Sequence, residues 1–410
     1  MRDVIISINV ANTRGTRKEY IMLGNTNFSE SIKYIGVNDK TIDLFESQYV
    51  VENGVSYNSY VIMDDKIAIM DTVDPRGTAE WEGKLKAVLG DRMPDYLVIQ
   101  HMEPDHAGSI GRLLDIYPDI TLVGNAKTFT MLDQFFEVPP TAERLVVKEG
   151  DTLELGKHVL TFVMAPMVHW PEVMVSYESS EKVLFSADGF GKFGALDVDE
   201  DWACEARRYY FNIVGKYGAP VQALLKKAAS LDIANIAPLH GPVLTENLEY
   251  YLGLYNTWSS YEAETKGIFI AVASIHGNTM AVAEKLADIL QDRGEERVVV
   301  ADLAREDMAE CVEDAFRHDR MILAAASYDG GVFAPMSDFL HHLASKAFQN
   351  RVVGLVENGT WAPCAAKTMR QELEAMKDVK VLDEQVTIKS TMKEADVDQL
   401  NKLADAILLK

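Results

Sequence analysis

The stretch Tyr96-Leu-Val-Ile-Gln-His101-Met-Glu103-Pro-Asp105-His106 closes an apolar run with two imidazoles and two carboxylates. Tyr96 to Ile99 reads as a strand ending at Gln100. Alternation along an extended segment sends His101, Glu103 and Asp105 toward one side, and the turn begun near Pro104 swings His106 back to the same point. That arrangement is a way to grip two metal ions. The alternative is a polar surface loop, so further ligands have to come from elsewhere among only 9 histidines in 410 residues.

Three downstream stretches repeat the pattern. Thr161-Phe-Val-Met164 leads through Ala-Pro-Met-Val to His169-Trp170-Pro171; Lys182-Val-Leu-Phe185 leads to Asp188; Ile233-Ala-Asn-Ile236 leads to His240. Each candidate ligand lies just past a probable strand end, where loops on a rigid sheet usually carry sites.

Composition narrows the classes. At 410 residues the chain suits two domains, and 48% hydrophobic with 25% charged residues is the profile of a packed globular protein. A net charge of -23 argues against a nucleic-acid groove or an anionic membrane surface. Met1-Arg-Asp-Val-Ile5 carries no basic and apolar leader, and no apolar run approaches spanning length, so a cytoplasmic location is the default expectation. Cys204, Cys311 and Cys364 form no CxxC pair. Redox chemistry here therefore needs non-cysteine ligands or an organic cofactor.

Up to about residue 250 strands alternate with helical stretches at Gly77 to Leu89, Ala107 to Ile116 and Asp199 to Ile213, and residues 57–71 read as a hairpin. Two sheets covered by helices fit this rhythm, which makes 1–250 one domain and 251–266 a helical exit. From 267 to 410 a βα alternation begins. Its strands fall at 267–273, 297–301, 321–326, 351–356 and 386–389, as expected of a doubly wound, five-stranded parallel sheet.

Ligands of such sheets sit beyond the carboxyl ends of the strands. There lie Ser274-Ile-His276-Gly277-Asn278-Thr279, Ser327-Tyr328-Asp329-Gly330-Gly331 and Glu357-Asn358-Gly359-Thr360-Trp361. The first loop enters a helix and suits a phosphate, although the same residues also make ordinary caps. Tyr328 and Trp361 either flank a planar ring or pack in the interior. GxGxxG is absent, so a mononucleotide with an aromatic head fits better than a dinucleotide.

His101-x-Glu103-x-Asp105-His106 with His169, Asp188 and His240 resembles the iron-binding set of flavodiiron proteins. The likeness extends over the chain, including Gly54-Val-Ser-Tyr-Asn-Ser-Tyr60 and Phe190-Gly-Lys-Phe-Gly194. It implies a metallo-β-lactamase-like αββα sandwich followed by a flavodoxin-like domain, with no fused rubredoxin. On that pattern His101, Glu103 and His169 hold one iron, Asp105, His106 and His240 the other, and Asp188 bridges them. FMN is the implied flavin, although His276 and Asn358-Gly-Thr-Trp361 depart from the usual flavodoxin loops. The implied activity is reduction of dioxygen to water or nitric oxide to nitrous oxide. Rubredoxin or a reduced deazaflavin is the implied donor, and a head-to-tail homodimer, alone or paired, the implied assembly. The rival is a zinc hydrolase of the same superfold, which typically carries histidine where Glu103 stands. A carboxylate there favours ferric iron.

Overall fold

Alternation decides how the first half folds. Ile32, Tyr60, Ile62, Ala68, Met70, Val98 and Val123 form one buried cluster with Leu160, Phe162, Met174, Val183, Phe185 and Ala237. The intervening Val61, Ile69, Leu97 and Leu122 belong instead to a cluster with Trp81, Leu85 and Leu89 of the helix Thr78–Leu89. Strands apolar on both faces need cover on both, so two sheets pack face to face and helices close the outside.

The computed structural model of the chain describes residues 28–139 and 141–409. The Met1–Ile5 opening lies outside the described residues. The first sheet runs Ile32–Tyr34, Tyr60–Ile62, Ala68–Met70, Tyr96–Val98, Thr121–Gly124, Arg144–Val146. The second runs Thr152–Glu154, Val159–Met164, Met174–Glu178, Val183–Phe185, Asn235–Ala237. The expected hairpin is present, with Tyr60 to Ile62 antiparallel to Ala68 to Met70.

In the second half Thr265–Ala273, Val298–Asp302, His318–Tyr328, Arg351–Asn358 and Val379–Ile388 pair in parallel, in the spatial order second, first, third, fourth, fifth. Gly331–Val332 adds a short antiparallel partner to His318–Tyr328. Ile268, Ile270 and Val272 face Leu286, Leu400 and Leu403 in one cluster, while Phe269, Ala271 and Ala273 join Val312 and Phe339 in the other. The sheet is thus covered on both sides.

Several elements differ from expectation. The last strand begins at Val379, seven residues before the expected Val386, because its charged positions hide the apolar pattern. The helix expected from Asp199 to Ile213 is α-helical only over Trp202–Tyr209, with Asp201 accepting from the Ala203 amide, and then widens to a π-turn over Tyr210–Val214. Helices Ala126–Phe135, Gly218–Ala228 and Val397–Leu408 were not anticipated. The helix Leu248–Ser259 packs on Gly218–Ala228. Phe211 of the first half stacks on Phe316 of the second, with ring centroids 4.3 Å apart, so a continuous apolar core joins the halves.

Phe162 is fully buried between the two sheets of the sandwich. Phe162→Ala is expected to cost about 3–5 kcal/mol, read as a lowered urea midpoint by circular dichroism.

Candidate metal centre and mononucleotide site

Four strand ends meet at one rim of the sandwich. Phe185 pairs with Ala237 in parallel register, so Asp188 and His240, each three residues farther on, leave the sheet at the same level. His101 stands three residues past Val98, the end of its own strand. The Met174 amide donates to the Gln100 carbonyl at 3.2 Å, tying one sheet to the other beside the site.

All seven sequence-predicted residues converge, in two groups. In the first, the Glu103 Oε2 lies 3.2 Å from His101 Nε2 and 3.0 Å from His169 Nε2, and Asp188 Oδ2 lies 3.2 and 3.1 Å from the same nitrogens. In the second, Asp105 Oδ2 is 3.2 Å from both His106 Nε2 and His240 Nε2, and those two nitrogens are 3.1 Å apart. Asp188 Oδ1 is 3.2 Å from His106 Nε2 and 3.7 Å from His240 Nε2. One carboxylate therefore gives an oxygen to each group.

All the donors but half-buried Glu103 are buried, yet both oxygens of Asp188 and both of Asp105 receive no hydrogen bond. Unsatisfied buried carboxylates are costly unless a charge answers them. Tautomers point the same way. His101 Nδ1 donates to Glu172 Oε1 at 2.8 Å and His240 Nδ1 donates to the Ser56 carbonyl at 2.8 Å, so once the rings give up any second proton to a metal's charge the inward Nε2 of each carries a lone pair. Burial opposes charge on His169, but the Asp188 and Glu103 carboxylates hold its imidazole up at about 9. Burial likewise opposes charge on Asp188, and the facing His101 and His106 keep it well below the usual carboxylate range. Donors of this charge, converging on two points, fit two cations.

The supporting residues escaped sequence reasoning. Glu172, fully buried, accepts from both His101 and the Met102 amide. In the sequence it stands only as a lone acid three places after His169. Buried Asp71 accepts from the Gln100 amide at 2.8 Å, and burial pushes its carboxyl up to about 6. Gly241, at φ +81°, has no room for a side chain: an added Cβ would lie 2.7 Å from Lys192 Cγ. Its amide and carbonyl are held by Ser56 Oγ and Asn58 Nδ2, both at 2.7 Å, which fixes the adjacent His240. At the mouth stands solvent-facing Glu46, whose carboxyl is pushed up to about 7 by the surrounding protein and the Glu103 charge.

The three loops of the parallel sheet are neighbours, since Thr265–Ala273, His318–Tyr328 and Arg351–Asn358 are adjacent strands. Gly277, at φ +86°, caps the helix Asn278–Asp292, and Ser274 Oγ accepts from the Gly277 and Met280 amides at 3.1 and 3.3 Å. His276 sits in the same turn. Trp361 is 90% exposed and Tyr328 50% exposed, so neither is a core residue. Asp329 and Gly330 turn the second loop at positive φ, ahead of Gly331. Ser327 Oγ instead caps the amides of Cys364 and Ala365 at 2.9 and 3.1 Å. Asn358 is held in both directions by the Ser390 backbone, and Thr360 Oγ1 lies 2.8 Å from Ser390 Oγ. These three side chains build the loops, and Gly359 is pressed against Pro363.

Comparison with known proteins agrees with the two halves. Residues 55–241 match the model of the ODP family beta lactamase. A nitric oxide reductase of Moorella thermoacetica is 28% identical over 85% of this chain and 89% of its own. The solved rubredoxin oxygen:oxidoreductase of Desulfovibrio gigas superposes with a TM-score of 0.86 at 25% identity, covering 93% of this chain and 97% of that one. In fold the chain is similar to the flavodiiron proteins, that of Giardia intestinalis superposing over 93% of this chain with a TM-score of 0.85 at 23% identity. A putative diflavin flavoprotein of Synechocystis is 32% identical over 61% of this chain and 43% of its own length, and the match to this chain spans about half the length of such relatives.

Glu172 is expected to orient His101 for metal. Glu172→Ala should weaken metal binding about 10- to 100-fold in chelator competition, with an unchanged far-ultraviolet spectrum.

Proposed function

We propose that this chain is a flavodiiron oxygen or nitric oxide reductase, taking electrons from a reduced donor through FMN to a non-haem diiron centre. The observation that carries the reading is Asp188, whose two oxygens face two separate histidine groups while Glu103 supplies a second carboxylate to one of them. His101, Glu103 and His169 would hold one iron, Asp105, His106 and His240 the other. Two ferrous ions and a reduced flavin together supply the four electrons that dioxygen needs, or the two needed by a pair of nitric oxide molecules.

The chain's own residues then have definite tasks. Glu103, Asp105 and Asp188 offset cation charge in a buried site, and Glu172 and the Ser56 carbonyl fix the imidazole tautomers. Trp170, its ring 5.2 Å from that of His101, forms an apolar wall beside the site. Ser274, His276, Gly277, Asn278 and Thr279 present a helix amino terminus to a phosphate. Tyr328 and Trp361, kept outside the core, offer flat faces to an isoalloxazine ring, with Asp329 to Gly331 at its edge.

The reductases among the relatives support this reading over a zinc hydrolase. Rubredoxin, named with the Desulfovibrio gigas neighbour, or a reduced deazaflavin is the proposed donor. The proposed assembly is a head-to-tail homodimer or a pair of such dimers, with the flavin of one subunit serving the partner's metals. A cytoplasmic location fits three free cysteines. The proposed division is a metal-holding domain through 250, an exit over 251–266 and a flavin-holding domain over 267–410. It is supported by the helix Leu248–Ser259 and the opening of the parallel sheet at Thr265.

Anaerobically purified protein is expected to carry about two irons and about one FMN per chain and to consume dioxygen or nitric oxide with a reduced donor. Zinc without flavin, or flavin reduction without gas consumption, would overturn the proposal. Glu103→His should reduce iron retention or turnover more than folding. Trp361→Ala should weaken FMN by about 1 kcal/mol, roughly five-fold, in a fluorescence titration.

A further inference from the structure

The metal pocket is roofed by a small hairpin that the parallel-sheet half holds in place. Leu44–Phe45 pairs with Tyr49–Val50, and Glu46 and Ser47 turn between them at φ +49° and +58°. The Phe45 ring meets His240 edge-on at 5.5 Å, with Phe193 at the same distance on another side. Glu46, the next residue, is close enough to Glu103 for the two carboxylates to interact electrostatically. Two strands of two residues each cannot hold such a position by their own pairing.

What holds them comes largely from the other half. Lys346, just past the helix Ala334–Ser345, donates to the Tyr49 phenol at 3.1 Å and to the Asn212 carbonyl, and its ammonium lies 5.8 Å from the Tyr49 ring centre. Tyr49 in turn donates to the same Asn212 carbonyl at 3.0 Å. That carbonyl lies within the π-turn Tyr210–Val214, where the widened helix presents it to side-chain donors. Arg208 donates to the Val50 carbonyl while ion-paired to Asp307 and to Glu310, the latter at 3.1 Å. Both residues of the second hairpin strand are therefore anchored, directly or through one arginine, to helices of the parallel sheet. Behind the Val50 end is a cavity of about 280 Å³, bordered by Glu205, Arg208, Asp307 and Glu310. The helix Ala334–Ser345 begins directly after the loop of Tyr328 to Phe333 and ends beside Lys346, so one helix connects the proposed mononucleotide loops to the roof of the metal pocket.

We infer that Lys346 is a positioning residue for the metal centre: by holding Tyr49 it keeps Phe45 on His240 and Glu46 beside Glu103, so the parallel-sheet half sets how open the metal pocket is. This rests on reading the seven-residue cluster as a metal centre, but its test does not need a working reductase. Hydrogen exchange of the amides of residues 44–50 is measured in metal-free protein for the parent, Lys346→Met, Lys346→Arg and Tyr49→Phe. Lys346→Met and Tyr49→Phe are expected to speed exchange in the hairpin about ten-fold or more while leaving the sandwich strands unchanged, and Lys346→Arg is expected to restore protection. Unchanged hairpin exchange in both Lys346→Met and Tyr49→Phe, or acceleration spread evenly over the whole chain, would overturn the inference.

Discussion

The structure turns on the carboxylate of Asp188. Fully buried, it offers one oxygen to His101 and His169 and the other to His106 and His240, and no hydrogen-bond donor satisfies either. A group so placed is tolerable only where positive charge is gathered on both sides of it. The rest of the first half provides for that. Parallel register brings the ends Phe185 and Ala237 level, the Met174–Gln100 hydrogen bond closes the two sheets at the rim, and Gly241 lets the chain pass Lys192 so that His240 points inward.

The second layer of contacts determines what the first can do. Glu172 and the Ser56 carbonyl each take the outer proton of an imidazole, which leaves the inner nitrogen free to act as a ligand. Asp71 braces the backbone of Gln100. The second half is not merely attached: Phe211 stacks on Phe316, Arg207 pairs with Glu313 and Glu264, and Lys346 reaches the hairpin beside the histidine and carboxylate cluster. The two halves are thus joined through one apolar core.

Much of this was legible in the sequence, for identifiable reasons. The seven donors could be found because each follows a short apolar run, and the sheet rim that collects strand ends collects them too. The five parallel strands could be found because burial on both faces makes them continuously apolar. The last one, Val379–Ile388, was half hidden because it is partly exposed and carries Lys380, Asp383 and Glu384. Glu172 and Asp71 were invisible as partners, since a single buried acid looks like any surface acid until the fold brings an imidazole or an amide to it. The π-turn at Tyr210–Val214 left no mark at all, because its apolar residues fit an ordinary helix equally well. Ser327 and Asn358 lie in the loops expected to hold a mononucleotide, yet their side chains are taken by local hydrogen bonds, which residue type alone does not reveal.

The most direct measurement is a crystal structure of the iron-loaded protein with anomalous data collected at the iron edge. The account predicts two iron peaks flanking Asp188, one contacting Oδ1 with Asp105, His106 and His240, the other contacting Oδ2 with His101, Glu103 and His169. A single peak, or two peaks that do not share Asp188, would contradict it.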